Sequence, residues 1–167
     1  MKQLILVRHA KSSWDDAGLS DMDRPLNKRG RNDAPMMGRL LAGKGENPEL
    51  IISSPAKRAL STAKRIAHEL GYDREQIKIN DTLYMADPDD FIGVIKAVND
   101  KIGCLMLFSH NYGITEFANL LTGENIGNIP TCGIIKAELN MDSWSEITNT
   151  KGKMLYFEYP KKYADGI

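Results

Sequence analysis

The sequence predicts an α/β fold, a three-layer α/β/α sandwich around a mostly parallel central sheet. Three observations predict it. Short apolar runs alternate with segments of helical periodicity. One of those runs, "IGCLMLFS", is apolar enough to be buried on both faces. No repeat, low-complexity tract or internal linker interrupts the alternation, so the 167 residues read as one domain, 1–167.

The elements follow in order. Gln3 to Val7 reads as a strand, and the polar stretch from Ala10 to Pro25, with Gly18, as a loop. "LNKRGRNDAPMMGRLLAG" opens a helix at the N-cap Asn27 and stops at Gly43, with Met36, Met37, Leu40 and Leu41 at helical spacing. Pro35 lacks an amide donor and should kink this helix or open its main run. "ELIISS" is a second strand ending in a Ser-Ser-Pro turn. The following helix, "AKRALSTAKRIAHELG", turns Ala59, Ala63, Ile66, Ala67 and Leu70 to the core and closes at Gly71. "QIKIN" alternates as a strand, and "DPDDFIGVIKAVN" is an Asp-capped helix. "IGCLMLFS" is the central strand and "GITEFANLLTG" another helix. "GIIKAELN" and "GKMLYFEYP" close the chain as two strands, open to pairing as a hairpin across "MDSWSEITNTK".

Composition narrows the function. Lys+Arg and Asp+Glu both number 22, and without a basic run nothing points to nucleic acid. No segment approaches the length of a membrane span. The apolar run Leu4–Val7 flows straight into Arg8, so it reads as neither signal peptide nor anchor, and a cytoplasmic setting is expected. Cys104 and Cys132 make no disulfide framework, and "NDT" at Asn80 reads as a chance glycosylation match. The histidines are His9, His68 and His110, with no H-x3-H or C-x2-C spacing, so neither a metal nor a cofactor is expected.

In an open α/β sheet, ligands bind beyond the C-terminal ends of the parallel strands. The first strand ends in Arg8-His9, the second delivers Lys57 and Arg58 into the first turn of a helix, and "CLMLF" ends in Ser109-His110-Asn111. His68 lies late in a helix and reads as solvated or packed. A cation at a helix start faces the positive end of the macrodipole, which an anion bound there would reverse. Arg8, Arg58 and a protonated His110 are thus placed to surround a phosphate, the guanidinium forks making bidentate contacts.

These segments carry a resemblance. "LVRHAKSSW" resembles the RHG/RHA signature of the histidine phosphatase superfamily, also called phosphoglycerate mutase-like. "DRPLNKRG" is similar to the helix start that follows it there, with Asn27 in place of a hydroxyl residue. "SSPAKRALSTA" resembles the S-x-x-x-R-A-x-x-T-A helix, and "FSHNYGI" the G-H-N-x-G turn. Four motifs in order span nearly the whole chain, and the "RHAKSSW…DRPLNKRG" form looks like the SixA branch, whose members include phosphohistidine phosphatases. The resemblance implies a phosphoglycerate mutase-like fold and a metal-independent phosphatase acting on a phosphorylated protein or a small phosphorylated substrate. It implies His9 as nucleophile and Arg8, Arg58 and His110 as the phosphate clamp. The attacking imidazole must be neutral, with a backbone carbonyl accepting its other N–H. Lys11 and Ser12 are candidates to touch the phosphate or leaving group, and Asn111 to brace the His110 loop.

The departure is the general acid. The superfamily's glutamate falls in "DTLYMADPDD", where Met85 takes its place. Asp87 is the candidate substitute; Asp89 and Asp90 read as ordinary helix-start acids. A weak acid disfavours alkyl esters, whose alkoxide leaves badly, and favours phosphohistidine or aryl phosphates. The alternatives are a phosphate- or phosphoprotein-binding module without turnover, and a phosphomutase. The oligomeric state is not readable, and a monomer is compatible. "GRLLAGKG" is no P-loop, since it lies in and after a helix and Gly45 replaces the Ser or Thr. No cysteine phosphatase loop and no G-x-S-x-G elbow occurs, and Trp14 and Trp144 read as packing residues.

Overall fold

The computed structural model describes residues 1–163. Six strands form one sheet: β1 (Lys2–Arg8), β2 (Leu50–Ser53), β3 (Lys78–Ile79), β4 (Cys104–Ser109), β5 (Ile134–Leu139) and β6 (Gly152–Glu158). Their order is β3-β2-β4-β1-β5-β6. The pairs β1–β4, β2–β4 and β2–β3 are parallel, whereas β5 runs antiparallel to both β1 and β6. The run "CLMLFS" is accordingly central, and the last two strands pair as the expected hairpin.

Side chains alternate across a strand, so each strand feeds two cores. Leu4, Leu6, Leu105, Leu107 and Ile135 point to one face, where Phe91 and Ile95 of α3 (Pro88–Lys96) and Phe117 and Leu121 of α4 (Gly113–Thr122) cover them. Trp144 is fully buried in this layer, as a packing residue should be. Ile5, Val7, Met106, Phe108 and Ile134 point the other way. They meet Ala34, Met37 and Leu41 of α1 (Lys28–Gly43) and Ala63, Ile66 and Ala67 of α2 (Lys57–Leu70). Each large aliphatic side chain so buried contributes about 1.5–3 kcal/mol.

Local signals set the ends. Asn27 caps α1 through a hydrogen bond from the Gly30 amide, and Asp87 and Asp90 form a capping box on α3. Gly71 and Gly123 close α2 and α4 in the left-handed conformation. α1 runs unbroken through Pro35, because its buried Ala34, Met37 and Leu41 hold both halves on the sheet. "QIKIN" contributes only Lys78–Ile79 to the sheet, an exposed edge pairing with β2.

A tight backbone contact lies beside the first strand's exit. A Cβ at Gly30 would sit 2.2 Å from the Lys11 carbonyl oxygen, which also accepts the Asn27 amide. The start of α1 is therefore pressed on the chain just after His9. Gly30→Ala should cost about 1–3 kcal/mol, since a backbone atom must shift to admit the methyl. Denaturant unfolding of that variant against the parent measures it.

Candidate active site

Register assembles the site. β1 and β4 pair with Arg8 opposite Ser109, and the His9 amide donates to the Ser109 carbonyl, so His9 and His110 leave the sheet side by side. Their ring centroids are 5.2 Å apart. β2 pairs on the other side of β4, which brings α2 and Arg58 to the same edge.

His9 is buried, and its Nδ1 donates to the Ala10 carbonyl at 2.7 Å, which leaves Nε2 with the lone pair. His110 Nε2 lies 2.7 Å from Ser54 Oγ, which already accepts the Ala56 amide. The arrangement that uses every donor directs the Ser54 hydroxyl proton to Nε2 and puts the His110 ring proton on Nδ1. That nitrogen and Arg8 Nε are buried without a partner among the described residues. Two orphan donors from two strand ends suit an oxyanion. Arg8 itself is held by a bond from Nη1 to the Ile129 carbonyl.

Both imidazoles are neutral. Burial is the main cause in each, with cationic neighbours adding to it, and it takes His9 from 6.5 to about 3 and His110 to about 4. The protonated His110 expected from the sequence is therefore not the state of the free protein. Arg58 adds to both depressions, and Arg8 does so more weakly.

A cleft of about 170 Å³ opens here, lined by Arg8, His9, Lys11, Ser12, Trp14, Arg24, Arg58 and Thr131. Lys11 and Ser12 thus lie at the cleft, Ser12 Oγ accepting from Arg24 Nη2 at 2.5 Å. Asn111 is turned aside: its Oδ1 accepts from Thr115 Oγ1 and its Nδ2 donates to Asn128. It braces the turn after His110 and makes no bond to the clamp. Asp87 is occupied with the cap of α3, its Oδ1 accepting the Asp90 amide at 2.8 Å.

Three residues outside the expected set complete the arrangement. Asp21 answers the cation at the start of α2: Arg58 donates through Nη2 to its Oδ2 at 2.9 Å and through Nη1 to its carbonyl at 2.6 Å. Tyr84 donates to the same Oδ2 at 2.5 Å and meets His110 edge-on at 5.4 Å. These bonds, Tyr84's foremost, hold the Asp21 carboxyl at about 2. Arg24 bonds Asp21, Ser12 and the Ser13 carbonyl, while its guanidinium stacks 3.2 Å from the Trp14 ring centroid. Trp14 is 74 % exposed, so it packs on a cation at the cleft mouth and not in the core. Arg24 stands within the segment "DRPLNKRG", and Tyr84 adjoins Met85 at the acid position; these were the available signals. Asp21 had none.

Comparison with known proteins agrees with this geometry. Residues 4–93 match the model of the histidine phosphatase superfamily (branch 1). A chloroplastic protein of Arabidopsis thaliana is 34 % identical, over 87 % of this chain and 70 % of its own. A Mycobacterium leprae protein is 30 % identical over 93 % of this chain and all of its own. A solved structure assigned as the phosphohistidine phosphatase SixA from Agrobacterium tumefaciens superposes with a TM-score of 0.82 at 26 % identity, covering 95 % of this chain and 98 % of that one. The fold and site define a phosphatase of the α/β class. The chain belongs to the histidine phosphatase superfamily, branch 1, in its SixA-like group.

The neutral imidazoles set a pH dependence. Unfolded, both take up protons near 6.5; folded, they resist until about 4 or below. The unfolded chain binds more protons between these values, so stability falls as pH is lowered through that window. Melting temperature should drop from pH 6.5 towards 4, and His110→Asn should flatten the drop, read by calorimetry at constant ionic strength.

Proposed function

We propose that this chain hydrolyses a phosphoester or phosphoramidate through a covalent phosphohistidine on His9, with phosphohistidine carried by a protein as its substrate class. The observation that carries this reading is the buried, neutral His9, locked by Ala10 with Nε2 free in a cleft walled by Arg8 and Arg58. A module that only bound phosphate would have no use for a tautomer-locked imidazole.

In the first displacement Nε2 attacks phosphorus as the bond to the leaving group breaks. Water then attacks the phosphoramidate, releasing phosphate and restoring the imidazole. Arg8, Arg58 and the His110 Nδ1–H neutralise the equatorial oxygens, and that electrostatic stabilisation supplies most of the rate. Lys11 and Ser12 stand beside the cleft to meet the leaving group or a phosphate oxygen. The preference for a protein substrate rests on the mouth. Trp14 lines the cleft and is 74 % exposed, while Met85 and Tyr112, 63 and 52 % exposed, follow Tyr84 and His110 in the chain. Such an apolar, aromatic rim suits a polypeptide surface.

His9→Ala should abolish turnover yet still bind vanadate or tungstate, since the arginines remain. Arg58→Ala should weaken oxyanion binding and lower the rate by about 100–1000-fold. Activity should survive chelators, because the cleft's own side chains carry the charge; loss in EDTA restored by a divalent metal speaks against the mechanism.

Trapping tests the intermediate directly. Rapid quenching during turnover should leave label on the peptide "QLILVRHAK", lost in acid and stable in alkali as a phosphoramidate is. Label on Ser12, Ser13 or Ser109 would overturn the assignment.

A further inference from the structure

We propose that Tyr84 is a catalytic residue: its hydroxyl protonates the leaving group in the first displacement and, as tyrosinate, takes the proton of the attacking water in the second. This rests on the phosphatase reading above.

The geometry is built for one side chain. The segment bearing Tyr84 is clamped on both sides by the residues that flank His110. Ser109 Oγ donates to the Leu83 carbonyl at 2.6 Å, in the buried layer just before the ring. On the other side Gly113 lies so close that a Cβ there would fall 1.7 Å from the Ala86 carbonyl oxygen. Between those clamps Met85 adopts φ 53°, a left-handed conformation that costs an ordinary side chain about 1–2 kcal/mol. That twist sends Met85 to solvent, 63 % exposed, while Tyr84 lies on His110. Strain of this kind concentrates at functional sites. The chain has turned the residue at the glutamate's position outward and its neighbour inward.

The hydroxyl is in reach of the chemistry. Asp21 Oδ2 accepts from Tyr84 and from Arg58 Nη2 together, so the phenolic proton is one acceptor atom from the guanidinium that would clamp the phosphoryl group. An incoming phosphoryl group competes with Asp21 for Arg58, and the leaving atom then meets the O–H in place of that carboxylate. The bond to Asp21 also raises the Tyr84 pKa, which keeps the proton in place at neutral pH. Protons balance: Tyr84 gives one as the leaving group departs and recovers one from water as P–N(His9) breaks.

A phenol is a selective acid. It protonates a leaving atom more basic than a phenolate, such as an imidazolate or alkoxide, and gives nothing to a nitrophenolate, which is less basic than itself. That contrast makes the test. Tyr84→Phe should slow nitrophenyl phosphate hydrolysis far less than N-phosphohistidine hydrolysis, and the initial release of nitrophenolate that accompanies labelling of His9 least of all. It should slow N-phosphohistidine hydrolysis by at least about 100-fold, the lower range for general acid catalysis. Across a series of substituted phenyl phosphates, the dependence of rate on leaving-group basicity should steepen.

Equal losses on all substrates, with weaker vanadate inhibition, would mean that Tyr84 only holds Asp21 and Arg58, and would overturn the proposal. So would an unchanged slope. If the parent protein neither hydrolyses nitrophenyl phosphate nor labels His9, the phosphatase mechanism itself falls and this inference falls with it.

Discussion

The site depends on the parallel register of β1 on β4. Arg8 pairs with Ser109, so the residue after each strand is a histidine, and the two rings emerge as neighbours. Strand side chains alternate, so a slip of one position would send the rings to opposite faces. The register is held by both cores at once: Leu4 and Leu6 pair with Leu105 and Leu107 on one side, Ile5 and Val7 with Met106 and Phe108 on the other. Hydrophobic packing thus aims the catalytic geometry.

What packing cannot supply is charge balance. The cleft gathers Arg8, Arg24, Arg58 and Lys11 around the His9 imidazole, with the His110 ring 5.2 Å from it. Further positive charge would be costly in so buried a place, and the imidazoles stay neutral instead. Asp21 offsets part of the cationic excess, and it does so from the long loop between β1 and α1. The loop is tied down by several bonds: Ser13 to Pro25, Asn27 to Lys11, Arg24 to Ser12, and Ala10 to Thr62 of α2. A polar segment with little secondary structure is thereby made a rigid wall.

The fold was legible in the sequence because its signals are local. Period-2 and period-3.6 patterns, the Asn27 and Asp87 caps and the Gly71 stop depend on residues near in the chain, and the structure has them where expected. β3 shrank to two residues because an edge strand's extent depends on its one neighbour, β2. In the site, His9, Arg8, Arg58 and His110 were legible because strand ends in a parallel sheet converge. Asp21 was not, since its partners Arg58 and Tyr84 lie 37 and 63 residues away. The neutrality of His110 in the free protein was not legible for a similar reason. Residue type gives a pKa near 6.5, and only the surroundings reveal how deep the ring is buried.

That neutrality bears on how a phosphoryl group would be held. Burial and the adjacent cations favour the neutral ring, whereas an anion against Nδ1 favours imidazolium. A bound phosphoryl dianion therefore raises the His110 pKa, and protonation of His110 strengthens the hold on the dianion by the same factor. The neutral ring is the state of the free protein. His9 differs in one respect: its Nδ1–H is committed to Ala10, which fixes the tautomer, and burial keeps Nε2 a lone pair against that bond's pull toward imidazolium. Two like residues at the ends of paired strands are thus set in different hydrogen-bonded states. The difference lies in the one partner each imidazole has found: the Ala10 carbonyl, which accepts from His9 Nδ1, and the Ser54 hydroxyl, which donates to His110 Nε2.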